Sequence, residues 1–102
     1  MRCASVSVSG RASGILEERA GGQYRFTYLE AYDGPPISIV MPISQRVYDF
    51  QGFPPFFDGL LPEGFQLEAL LKIRKLDRDD CFAQLMSVGH DLVGDVTVEE
   101  IR

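Results

Sequence analysis

Few residues in this chain have types and spacing suited to chemistry. The single histidine, His90, is followed by Asp91, a pair in which a carboxylate can orient an imidazole as a general base. Adjacent residues rarely face one another in that way, and a histidine behind a helix is ordinarily just solvated. Asp77, Asp79 and Asp80 alternate as in a calcium loop, but the loop glycine and the closing glutamate do not follow. Helix capping accounts for them better. Arg78 and Asp79 echo a phosphotransferase catalytic loop without its His, its Asn or any Asp-Phe-Gly. Gly89 and Gly94 lack the Lys-Ser/Thr of a phosphate-binding loop. Asp58 and Glu63 form a candidate acid–base pair that no third group completes. Cys3 and Cys81 have no metal-ligand spacing and read as free thiols. No catalytic, metal-binding or cofactor-binding residues are expected, and the chain reads as a non-enzyme.

The remaining unusual chemistry is apolar. Phe53 to Gly64 reads FPPFFDGLLPEG, with five large apolar side chains, three prolines and two glycines in twelve residues. Pro54 and Pro55 suit a turn that enters a first helical position, where a missing N–H costs nothing. Phe56, Phe57, Leu60 and Leu61 fall at helical spacing, and Pro62 and Gly64 end the turn. The segment is a short, rigid knuckle. A core built on Tyr24, Phe26, Tyr28, Leu67, Leu70, Leu71, Phe82 and Leu85 leaves Phe53, Phe56, Phe57 and Phe65 crowded around two proline turns. An exposed aromatic with rigid backbone support is a typical protein-binding anchor. Phe65 is the leading candidate because it directly follows Pro62-Glu63-Gly64, with Asp58 and Glu63 as a polar rim. The competing role for all four rings is to fill space between sheet and helices.

The elements that must hold this knuckle fall into two halves. Ala4, Val6 and Val8 alternate with serines as a strand. Gly10 to Gly14 reads as a turn, Ile15 to Arg19 as a short strand and Gly21-Gly22 as a hairpin-type pair. Gln23 to Leu29 is the best strand, with Tyr24, Phe26 and Tyr28 on one face. After the breaker Asp33 to Pro36, Ile37, Ile39 and Met41 predict a fourth strand, and Val47 to Phe50 a short fifth. Gln66 to Arg74 predicts a helix with Leu67, Leu70 and Leu71 on its buried stripe. Asp77 to Asp80 supplies the N-cap of a second helix whose apolar face is Cys81, Phe82, Leu85 and Met86, with Gly89 at C′. Val96 and Val98 mark a returning strand. The class is α+β: a small twisted antiparallel sheet, then short helices, then a C-terminal strand, all in one domain over residues 1–102.

Composition sets the outer bounds. A chain of 102 residues with 45% hydrophobic content suits one modest core. A formal net charge of −5 argues against direct nucleic-acid binding. No apolar run reaches the roughly 20 residues that span a bilayer, and the amino terminus lacks a signal-peptide core, so no membrane role and a cytoplasmic location are expected.

Three segments carry a resemblance. Gly22 to Tyr28 (GQYRFTY), Ile37 to Pro42 (ISIVMP), and Phe56 to Gly64 (FFDGLLPEG) continuing through Asp80 to Gly94 resemble, in the same order, the N-terminal subdomain of HipA-type serine/threonine kinases, the persistence toxins. The Leu60-Leu61-Pro62-Glu63-Gly64 stretch is the most specific part. Asp95 departs from the small residue usual after Gly94. The family's kinase core, with its nucleotide- and metal-binding residues, has no matching positions here. A free-standing copy resembles the HipS-type antitoxins of tripartite HipBST systems. That resemblance implies a non-catalytic module that binds and neutralises a separately encoded HipT-type kinase. It also implies a ternary complex with a HipB-like helix-turn-helix DNA-binding protein. The alternative it leaves open is an accessory subunit that completes or positions the kinase's active site.

Overall fold

The computed structural model describes residues 1–92 and 94–101. Val93, inside one matched segment, and the terminal Arg102 lie outside the described residues. The chain forms β1 (Cys3–Val8), β2 (Arg11–Glu18), β3 (Tyr24–Tyr28), β4 (Val47–Phe50), α1 (Pro55–Asp58), α2 (Gly64–Arg74), α3 (Cys81–Val88) and β5 (Val96–Ile101). The five strands make one antiparallel sheet in the order β4-β3-β2-β1-β5. The returning strand pairs with β1, opposing Val98 to Val6 and Val96 to Val8. Period-two patterning puts Ala4, Val6, Val8, Leu16, Tyr24, Phe26, Tyr28, Val96 and Val98 on one buried face. The knuckle, α3 and the loop before β4 cover that face. The class is α+β, as the residue pattern predicts.

Two predicted boundaries move. Gly10 to Gly14 is not a turn: β2 begins at Arg11, and only Ser9 and Gly10 reverse the chain, both with positive φ (49° and 79°). A bulge then sets Ser13 between the Val6–Gly14 and Ser7–Ala12 pairs, buried, with its Oγ donating to the Val6 carbonyl at 2.9 Å. Gly14 lies under the Phe26 ring, where an added Cβ would come within 2.3 Å of a ring carbon.

Ile37 to Met41 is not a strand. Ile37 and Met41 are buried but Ile39 is 92% exposed, so the apparent alternation does not map onto one face. The buried Tyr28 hydroxyl takes this loop's backbone groups, donating to the Met41 carbonyl at 2.5 Å and accepting from the Ile37 N–H at 3.0 Å. Tyr48 donates to the Pro42 carbonyl at 2.7 Å, and Arg46 to the Tyr32 carbonyl at 2.8 Å. Side chains thus satisfy polar groups that a strand would have paired. Asp95, the departure from the family pattern, is exposed ahead of β5, and its carbonyl accepts from the Ser9 N–H at 2.8 Å.

Helix α3 is capped as predicted, with the Asp80 carboxylate accepting from the Ala83 N–H at 3.1 Å. Gly89 serves another purpose than the expected left-handed C′ residue. Its φ of −57° is right-handed, and its carbonyl accepts from the Val98 N–H at 2.9 Å. A Cβ there would sit 2.0 Å from the Val98 oxygen, so glycine is required by the close approach of helix end and strand. Asp80 has a second role. Arg2 donates through Nη1 to Asp80 at 3.0 Å and through Nε and Nη2 to Glu18 at 2.9 and 2.6 Å, with its guanidinium 4.9 Å from the centre of the Phe82 ring. The bonds from Arg2 hold the Glu18 and Asp80 carboxyls below their ordinary pKa values. Those to Glu18, then Asp80, raise the pKa of Arg2.

Two outcomes follow from this packing. Gly89→Ala is expected to cost about 1–3 kcal/mol through the forced shift of β5, read as a lower denaturant midpoint at unchanged slope. Arg2→Ala is expected to cost about 1–2 kcal/mol at neutral pH, a value discounted for the partial exposure of the cluster. Carboxyls with lowered folded-state pKa values contribute stability that is full above the unfolded value of about 4 and is lost as pH falls through the folded value. The stability gap between Arg2→Ala and the unaltered protein should therefore narrow in denaturation curves taken progressively below pH about 4.

Candidate functional site

The knuckle is built from its prolines outward. Pro54, buried, is the N-cap of α1, and Pro55 occupies the first turn. The Pro54 and Pro55 carbonyls accept from the Asp58 and Gly59 N–H groups at 2.9 and 3.0 Å. The Leu60 and Leu61 N–H groups then bond the Phe57 and Asp58 carbonyls at 3.0 and 3.1 Å, which tightens the turn. Pro62 and Glu63 lead into Gly64, whose φ of 58° redirects the chain into α2. The backbone around the aromatic cluster is therefore fixed by its own hydrogen bonds.

The four candidate rings separate. Phe57 is fully enclosed, 6.1 Å from Phe26, so it belongs to the core and is not contact surface. Phe56 is half-buried with its edge against Phe57, at 5.1 Å and 81°. Phe53 is half-buried against Tyr24, at 5.2 Å and 89°. Phe65, in the first turn of α2, is 95% exposed. Asp58 and Glu63 are exposed, and Glu63, although it is the N-cap of α2, makes no side-chain capping bond. A hollow of about 280 Å³ opens between them, floored by Leu61, Leu67, Cys81 and Gln84. Burial, then the fields of Asp58, Asp80 and Asp79, push the Cys81 thiol pKa up. A thiol held protonated is a poor nucleophile. A second hollow of about 380 Å³ lies on the other side of Leu61 and Pro62, toward Val88 and Leu92.

Helix α2 differs most from expectation. Leu67, Leu70 and Leu71, predicted for the core, are only half-buried, and no residue of this helix is buried. The sheet is already covered by the knuckle, α3 and the loop, so α2 leans on α3 from outside. On its far side Ile73 is 76% exposed and Ala69 is also exposed. The residue pattern singled out neither, although Phe65, Ala69 and Ile73 recur at the four-residue helical spacing that could have shown it. The sequence also passed over Gln84. It is buried, and its Nε2 donates to the Asp77 and Arg78 carbonyls at 3.1 and 2.9 Å, tying the α2–α3 connection to α3.

His90 and Asp91 are exposed at the end of α3. Among the described residues no group of three or more His, Cys, Asp or Glu could hold a metal ion, and no helix is long and apolar enough to cross a membrane. The arrangement offers a protruding aromatic, two carboxylates and two shallow hollows, which is suited to contact with a macromolecule.

Comparison with known proteins points the same way. The family model "HipA N-terminal domain" matches residues 4–99. An uncharacterised protein of Haemophilus influenzae is 30% identical over 100 residues, covering 98% of this chain and 93% of that protein. Among solved structures, the N-terminal domain of HipA toxin is similar with a TM-score of 0.79 and 28% identity, covering all of this chain and 94% of that one.

The exposures of Phe65 and Phe57 give opposite expectations for the two rings. Phe65→Ala should leave stability within about 0.5 kcal/mol of the unaltered protein, whereas Phe57→Ala should cost about 3–5 kcal/mol. Parallel thermal and urea melts of the two variants check this.

Proposed function

The chain belongs to the HipA N-terminal domain family, and from that premise we propose that it is a non-catalytic antitoxin that binds and neutralises a separately encoded HipA/HipT-type serine/threonine kinase. The observation that carries the reading is Phe65. A phenyl ring is left 95% exposed on a backbone fixed by a proline-glycine turn. Such an anchor loses little conformational entropy when a pocket closes over it. Phe53 and Phe56 flank it with half-covered faces, Phe57 supports the knuckle from inside, and Asp58 and Glu63 form the rim. The Haemophilus influenzae relative, 93% of which this chain covers, supports the view that the domain occurs without an attached kinase core. The family domain it matches carries no kinase machinery of its own, so the proposed action is steric. A HipB-like helix-turn-helix protein is the proposed third component. It would make any DNA contact, since this chain's net charge of −5 is unfavourable for that role.

The test is co-expression with a HipT-type kinase that lacks its own N-terminal domain, scored for growth and for co-purification. Rescue with co-purification supports neutralisation. Co-purification with deepened growth arrest would instead assign the accessory-subunit role, and absence of binding would overturn both. Phe65→Ala is expected to weaken binding by about 2–4 kcal/mol, roughly thirty-fold to a thousand-fold, and to abolish rescue while remaining folded. Asp58→Ala and Glu63→Ala should each cost less than about 1 kcal/mol of binding, because exposed charges are screened. A folded Phe65→Ala protein that still rescues at the unaltered dose would rule the ring out as the anchor.

A further inference from the structure

The outer face of α2 is left uncovered by the rest of the chain. Phe65, Ala69 and Ile73 follow one another along it a turn apart, all exposed, Phe65 by 95% and Ile73 by 76%. The inner face, Leu67, Leu70 and Leu71, is half-buried toward α3. A helix apolar on both faces is ordinarily enclosed on both.

The stripe has a centre. Phe65 and Ile73 stand four positions on either side of Ala69, and Glu63 and Lys75 six. Glu63 and Lys75 are exposed, and neither forms an ion pair among the described residues. Two-fold symmetric contacts require a surface to complement itself. An antiparallel second copy crossing at Ala69 meets that requirement. Phe65 faces the partner's Ile73, and Glu63 faces the partner's Lys75. At the crossing point alanine meets alanine, which lets the helices approach closely. We infer that the outer face of α2 is a self-association surface whose occupant is a second copy of this chain, docked antiparallel about Ala69.

The surface is small. The 11 residues of α2 extend about 16 Å, less than the width of an interface burying roughly 800 Å² per partner. The dimer is therefore weak and in exchange with monomer, and added salt weakens it further by screening the Glu63–Lys75 pairs. Self-association does not rest on the antitoxin reading. Where that reading also holds, Phe65 serves both surfaces, so the self-associated form and the kinase-bound form exclude each other.

Sedimentation equilibrium of the full chain from about 10 µM to about 1 mM tests this, a range that covers weak dimers. The average mass should rise with concentration from one chain toward two. Lys75→Glu sets glutamate against glutamate twice and should weaken association about fivefold to tenfold. Adding Glu63→Lys to the same chain restores opposite charges and should restore association. Ala69→Arg keeps a good helix former but places bulk and like charge on the axis, and should leave a monomer with an unchanged circular dichroism spectrum. A protein that stays monomeric to the highest concentration overturns the inference. So does self-association that Ala69→Arg leaves intact, or a double charge exchange that does not recover what Lys75→Glu lost.

Discussion

Tyr24, Phe26 and Tyr28 stand in a row on the covered face of β3, and each recruits a different part of the chain. Tyr24 meets the edge of Phe53, at the entry to the knuckle, and lies 6.5 Å from Phe82 of α3. Phe26 lies over Gly14 and beside Phe57 of α1. Tyr28 uses its hydroxyl to hold both ends of the loop from Ile37 to Met41. A sheet with one apolar face must be covered, and in a chain this short the cover is made of small pieces. The rings of one strand set where those pieces sit. Burying large aromatics contributes about 1.5–3 kcal/mol each, which outweighs the cost of ordering short segments with little regular structure of their own.

That allocation explains what is left over. Once the knuckle, α3 and the loop have closed the sheet, α2 has no apolar surface to cover and leans on α3 from outside. Leu67, Leu70 and Leu71 are half-satisfied, and Phe65 and Ile73 are not satisfied at all. An exposed apolar side chain is common on any protein. A phenylalanine immobilised between a proline-glycine turn and a helix, with an isoleucine two turns away on the same ridge, is a more organised feature. The kinase surface and the second copy draw on that same ridge, and competition between them would make the free concentration of this chain part of its control.

The far end of the sheet is held by charge. Arg2, Glu18 and Asp80 come from the start of β1, the end of β2 and the cap of α3, and Arg2 also covers the Phe82 ring. The cluster ties the first residues of the chain to the third helix and makes Asp80 serve both as helix cap and as ion-pair partner. Arg2 and Asp80 are 78 positions apart, so no local pattern announces the contact.

The period-two runs around Val6, Phe26 and Val98, the turn residues between them, the Asp80 cap and the proline-bounded knuckle were all legible in the sequence. Each rests on interactions within a few residues: alternation across a pleat, a missing N–H, a side chain reaching its own backbone. The knuckle and the outward setting of Phe65 followed from the same local chemistry. Tertiary structure alone decided the rest. Ile37 to Met41 is a loop because the Tyr28 hydroxyl claims its backbone groups. Gly14 sits in a strand because a ring needs the space, and Gly89 is glycine because Val98 passes over it. Phe57 is core and Phe65 is surface, though both are phenylalanines beside proline turns, because only Phe57 faces Phe26. Burial depends on which residues distant in sequence reach a position first, and local patterning carries no record of that competition.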